Sequence, residues 1–139
     1  MIVLDTNVLS ELARIAPAAA VSAWMDAQIR SLIFITAVTK AELLYGIEIL
    51  PAGRRRAALH QSAEQMFLNE FAGRILPFDS DAAEAYARIA ASRRAMGRPI
   101  SQADAQIAAI ARSRGATLAT RNIADFEHCG IKMLNPWTE

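Results

Sequence analysis

Short apolar runs alternate with helical stretches along the whole chain, and this alternation limits the possible folds more than any other feature. The runs are Ile2 to Leu4, "LIFIT" at 32–36, "RILPF" at 74–78, "ATLAT" at 116–120 and "IKMLN" at 131–135. They read as strands that are too short and too continuously apolar to have one wet face. Ala18 to Arg30 has helical spacing, with Val21, Trp24, Met25 and Ile29 along one side. Val38 to Leu50 is helical and stops at Pro51 and Gly53, and a longer helix is predicted over Arg54 to Phe71. Asp81 to Met96 is helical and stops at Gly97, with Pro99 following; Ser101 to Arg114 is helical and stops at Gly115. Strands alternating with helices argue for an α/β fold with a parallel sheet covered on both faces. In such sheets ligands bind at the carboxyl ends of the strands, near a reversal of strand order.

The 139 residues suit a single domain spanning residues 1–139. With 53% hydrophobic and 21% charged residues, the chain is too apolar for disorder. No stretch is long and apolar enough to span a membrane, and the N-terminus lacks a signal-peptide pattern, so an intact soluble protein is expected. Cys129 is the only cysteine, which excludes an intramolecular disulfide and fits a reducing cytoplasm. The net charge of +1 does not by itself announce a nucleic-acid binder. Arginine, however, heavily outnumbers lysine, with clusters at Arg54-Arg55-Arg56 and at Arg93-Arg94 followed by Arg98. The planar guanidinium suits phosphate, while a solvated helix face would account for the same runs.

Three acids stand where a core-facing pattern would place apolar residues. Asp5 follows the first strand immediately, a place for chemistry in this class of fold and equally a place for a helix N-cap. Glu42 shares a helical face with Val38, Tyr45, Gly46 and Ile49, and Asp104 shares one with Ile100, Ile107, Ala108 and Ala111. A buried carboxylate needs a proton, a partner or a metal. Thr39 to Glu42 and Ser101 to Asp104 also each resemble a capping box, which needs no function. All three acids lie near predicted strand-end or helix-start junctions that a parallel fold can bring together. Convergent carboxylates are hard oxygen ligands suited to Mg²⁺ or Mn²⁺. Neither His60 nor His128 has a partner at zinc-site spacing, and no nucleophile elbow, P-loop or dinucleotide fingerprint is present.

The blocks "MIVLDTNVLSEL", "ITAVTKAELLYGI", "ISQADAQIAAIA", "LATRNIADF" and "LNPW" occur in that order over almost the whole chain. Together they resemble the PIN-domain ribonucleases, and most of all the VapC toxins of toxin–antitoxin modules in their FitB-like branch. The resemblance implies a PIN-like α/β/α sandwich around a parallel sheet of about five strands. It also implies a Mg²⁺- or Mn²⁺-dependent endoribonuclease that cuts RNA with metal-activated water, leaving a 5′-phosphate and a 3′-hydroxyl. Asp5, Glu42 and Asp104 match three acidic site positions of the family, and Thr6 and Asn7 are expected to orient Asp5. Asp5 and Asp104 would hold one ion, with Glu42 ligating it through water or deprotonating the attacking water. The family often has a fourth acid just after "ATR"; here that place holds Asn122, and Asp125 is a candidate substitute. The implied partners are an RNA substrate, a small VapB-type antitoxin and a second copy in a homodimer, with DNA met only through the antitoxin and no membrane. The apolar residues Trp24, Met25, Tyr45 and Phe67 on predicted helices suggest more apolar surface than one core needs.

Two rivals remain at this stage. A haloacid-dehalogenase-like phosphatase also puts an Asp after its first strand, but Asn7 occupies the place of the second Asp that it needs. A catalytically weak PIN domain acting as a binding module through its antitoxin partner finds encouragement only in Asn122.

Overall fold

The computed structural model describes all residues from Met1 to Glu139. Five strands, β1 (Ile2–Leu4), β2 (Ile33–Thr36), β3 (Ile75–Leu76), β4 (Thr117–Ala119) and β5 (Lys132–Leu134), form one sheet in the order β3-β2-β1-β4-β5. Every neighbouring pair is parallel. Six α-helices make the crossovers and flanks: α1 (Thr6–Leu12), α2 (Ala19–Asp26), α3 (Ala37–Glu48), α4 (Arg54–Gln65), α5 (Ser80–Ala95) and α6 (Gln102–Ser113). The α/β class and the five-stranded parallel sheet expected from the alternation are therefore present.

The pleat sorts neighbouring strand residues into two cores. Val3 and Leu118 point into a core shared with Ile89 of α5 and Ile107 and Ile110 of α6. Leu4, Ile33, Ile35 and Ala119 point to the other side, against Val8, Trp24, Met25, Phe67 and Phe71. Alanines at 82, 85, 108, 109 and 111 are buried in the first core and let α5 and α6 lie close together.

Three expectations need correction. The segment Arg54 to Phe71 is not one regular helix, because α4 ends at Gln65 and a π-turn spans Met66–Glu70. Phe71 donates its N–H to the Met66 carbonyl at 3.0 Å. Residues five apart sit roughly 140° apart around an α-helix, and the wider turn brings Phe71 toward the side of Met66, so both pack on the same core. The face of α3 that carries Tyr45 and Ile49 is open to solvent, and Glu42 on it is exposed. This helix packs inward through Thr39, Leu43, Leu44 and Ile47 instead. Finally, Trp24, Met25 and Phe67 belong to the chain's own core, so of the four apolar residues named as surplus only Tyr45 lies on the surface.

Candidate active site

Strand order reverses beside β1: β2 and β3 are laid down on one side of it, β4 and β5 on the other. The crevice at that switch point opens between the carboxyl ends of β1 and β4. Leu4 pairs with Ala119, so the next residues, Asp5 and Thr120, stand side by side.

Asp5 is 5% exposed and doubly held. One carboxyl oxygen, Oδ1, accepts the Thr6 N–H at 2.8 Å, which makes Asp5 the N-cap of α1. The other, Oδ2, accepts the Thr120 hydroxyl at 2.7 Å. Burial nonetheless pushes its pKa up from 3.8 to about 6, against the lowering by these two hydrogen bonds; the charges of Asp104 and Glu42 add to the rise. The cap and the candidate ligand are thus the same side chain.

Glu42 is held from α1. Its Oε1 accepts the Thr6 hydroxyl at 2.7 Å, and Thr6 Oγ1 in turn lies 2.9 Å from Thr39 Oγ1. Thr36 Oγ1 donates toward Thr39 Oγ1 at 3.4 Å and accepts the Thr39 N–H at 3.1 Å. With Thr6 spending its proton on Glu42, Thr39 must donate to Thr6, so the hydroxyls run in one direction toward the carboxylate. The N-cap of α3 is Thr36, so the capping-box reading of Thr39 and Glu42 is overturned. The second box begins as read: Ser101 is the N-cap of α6 and accepts the Asp104 N–H at 3.2 Å. Asp104 is half-buried, and that burial raises its pKa; the Ser101 hydroxyl and Arg93 oppose the rise, while Asp125 and Glu42 add to it.

Asp5, Glu42, Asp104 and Asn122 all line one open cavity of about 620 Å³, together with Thr6, Asn7, Glu11, Arg14, Arg121 and Trp137 among others. Asp125 is exposed and does not line it. Asn122 precedes a 3₁₀ turn at Ile123–Phe126 but its side chain caps nothing there. Its N–H instead donates to Thr120 Oγ1 at 3.0 Å. Asn7 does not hold Asp5; its side chain accepts the Arg121 N–H at 3.4 Å.

Sequence reasoning passed over Thr120, whose hydroxyl orients Asp5, and Glu11, a buried acid on the cavity wall. Thr120 carried a signal: β1 and β4 each give way to a polar residue, Asp5 and Thr120, and β2 ends in one, Thr36. Glu11 accepts the Ala18 N–H at 3.0 Å and pairs with Arg14 at 3.2 Å. The Ala18 hydrogen bond is the main cause that holds its carboxyl below the usual range.

None of Asp5, Glu42 and Asp104 takes part in an ion pair. No three acids converge closely enough to clasp one ion by themselves. Three hard, uncompensated carboxylates beside an amide, with two of them raised in pKa by burial, form a donor set that fits Mg²⁺ or Mn²⁺, which keep waters in their shell and need few carboxylates.

A family profile described as PIN domain matches residues 2–131. A VapC ribonuclease of Sinorhizobium fredii is 45% identical over 99% of this chain and 98% of its own length. Toxin FitB of Neisseria gonorrhoeae is 42% identical over 99% of both chains. The crystal structure of FitAcB from the same bacterium superposes with a TM-score of 0.93 at 42% identity, covering 100% of each chain. With its switch-point acids and a family match that runs nearly end to end, this chain belongs to the PIN-domain family.

Proposed function

We propose that the chain is the toxin of a type II toxin–antitoxin pair, a divalent-metal-dependent endoribonuclease of the cytoplasm. The observation that carries the reading is the meeting of Asp5, Glu42 and Asp104 in one cavity, none of them in an ion pair. The ribonuclease name of the Sinorhizobium relative supports the reaction class, as does a tRNA(fMet)-specific endonuclease VapC of Shigella flexneri, 34% identical over 75% of this chain.

Asp5 and Asp104 would hold the ion, with Asn122 contributing an uncharged oxygen. When bound, Mg²⁺ or Mn²⁺ supplies Lewis-acid polarisation of a phosphodiester and lowers the pKa of water. Glu42, aimed by the Thr6 hydroxyl, takes the proton of the attacking water. Attack in line at phosphorus leaves a 5′-phosphate and a 3′-hydroxyl without using the RNA 2′-hydroxyl. Recognition then rests on shape and on contacts to the strand.

The partner reading rests on relatives solved as complexes: FitAcB, and FitAB bound to a DNA fragment at a TM-score of 0.91. For this chain they support a small antitoxin that carries any DNA contact. A groove of about 430 Å³, lined by Leu9, Leu12, Met25, Met66 and Phe71 and also by Asp26, Arg30 and Glu70, offers an antitoxin peptide a seat for apolar and charged side chains together. The exposure of Tyr45 and Ile49 on α3 supports a homodimer that packs through this face.

The test is RNA cleavage by the purified chain with and without Mg²⁺ or Mn²⁺, beside Asp5→Asn. Metal-dependent cleavage that is lost in Asp5→Asn, with folding intact, is the expected result. Cleavage that persists in EDTA, or full activity in Asp5→Asn at limiting metal, overturns it. The presence of Asn122 favours one second reading, a catalytically weak module that works mainly by binding its antitoxin. No cleavage by the wild type, with antitoxin binding retained, would select that reading.

A further inference from the structure

Two arginines line the cavity that holds the acids, and they are spent differently. Arg14 is paired with Glu11 at 3.2 Å. Arg121 has no carboxylate within ion-pair distance, and its guanidinium donates no hydrogen bond to the protein. It lies instead over the Trp137 ring, with Cζ 4.9 Å from the ring centroid.

Both ends of this arrangement are braced. The Arg121 N–H donates to Asn7, and the preceding residue, Thr120, holds Asp5 and donates its own N–H to the Leu134 carbonyl at 3.0 Å. The Trp137 N–H donates to Asn135 Oδ1 at 2.9 Å, and its ring packs on the core of α1 and α2. A cation with all its donors free, beside four acids of the same cavity, is held on an aromatic face rather than collapsed onto any of them. That leaves the planar fork open to an anion that carries its own pair of oxygens.

We propose that Arg121 binds a backbone phosphate of the RNA strand and that Trp137 is a positioning residue that acts through it. The assignment rests on the nuclease reading and deepens it. The cavity then has an acidic half for the ion and a cationic point for the neighbouring phosphate, which fixes the strand across the site.

The test is binding of short single-stranded RNA of random sequence, measured by fluorescence anisotropy in EDTA over a range of salt. Arg121→Ala should weaken binding roughly five- to tenfold at low salt and reduce the salt slope by about 0.7, the share of one phosphate contact on a single strand. Arg121→Lys should keep the slope and lose part of the affinity. Trp137→Phe should bind nearly as the wild type, because a ring remains under the cation. Trp137→Leu should repeat the slope change of Arg121→Ala, and the double variant should bind no worse than Arg121→Ala alone; a purely structural tryptophan would not give that non-additivity. An unchanged slope in Arg121→Ala, or no binding by the wild type, overturns the assignment. Further weakening by Trp137→Leu on top of Arg121→Ala also overturns it, since the ring would then stack bases itself. Because no metal is present, these outcomes stand apart from the cleavage assay, which decides the nuclease reading separately.

Discussion

The Thr120 hydroxyl donates a 2.7 Å hydrogen bond to Asp5 Oδ2 across 115 residues of chain, joining the carboxyl ends of the two strands that flank the switch point. Both residues are buried, and Thr120 also accepts the Asn122 N–H. Thr120→Val keeps the shape and removes the donor. The Thr120 hydrogen bond opposes the rise of the Asp5 pKa, so its loss should raise that pKa further and let the proton compete with the ion, weakening metal binding severalfold at about pH 7. Calorimetric titration of Mn²⁺ into the two proteins checks this; equal affinities would mean that Thr120 only packs.

The raised Asp5 pKa makes the metal-free protein sensitive to pH. In the folded chain Asp5 holds its proton up to about pH 6, against an ordinary value of 3.8. The folded state therefore binds more protons than the unfolded state between those values. Stability falls as pH rises through that window and stays lower above it. The span corresponds to at most about 3 kcal/mol, and Asp104 shifts in the same direction. Thermal melts in EDTA should show a higher Tm at pH 5 than at pH 7.5, and Asp5→Asn should be the more stable protein at pH 7.5. Adding Mg²⁺ at pH 7.5 should restore much of the difference to the wild type and little to the variant.

Asn122 and Asp125 are separated by the same kind of titration. Of the four acids in the cavity Glu11 is paired with Arg14, which leaves three unpaired formal negatives from Asp5, Glu42 and Asp104, and Asn122 adds none. One detectable ion is expected in the RNA-free protein. Asn122→Asp should tighten binding or add a second site, whereas Asp125→Ala, which alters an exposed side chain outside the cavity wall, should do little. If Asp125→Ala loses most metal affinity while Asn122→Asp gains none, Asp125 is the fourth acid.

Arg93 is 5% exposed and forms no ion pair. Its Nε donates to the Arg98 carbonyl at 2.7 Å, and its Nη1 to the carbonyls of Asp125 and Glu127 at 2.9 and 3.0 Å. It ties the end of α5 to the loop that follows Asn122. Arg93→Met keeps the stem but leaves those carbonyls without their donor, and should cost about 3 kcal/mol in urea unfolding. A loss below about 1 kcal/mol would show that water replaces the guanidinium without difficulty.

The sequence by itself determined the elements and the polarity of the site. Continuous apolar runs no longer than a few residues, each broken before a helical period, permit little but a parallel sheet with helices on both faces. An Asp that closes the first such run, an Asp in the first turn of α6 and a Glu in α3 were legible because local periodicity sets them against apolar neighbours. Only the tertiary structure decided which faces close. The wheel that put Glu42 on a buried stripe was right about spacing, but Tyr45 and Ile49 on that stripe meet no partner element and stay in solvent. Burial depends on what packs opposite, which a helical period does not contain. The same holds for Asp5: its oxygens are held by Thr6, one residue away, and by Thr120, in a strand laid down at the other end of the chain. Its raised pKa and the reach of Thr6 to Glu42 arise from strand order and register, and those are settled only when the whole sheet assembles.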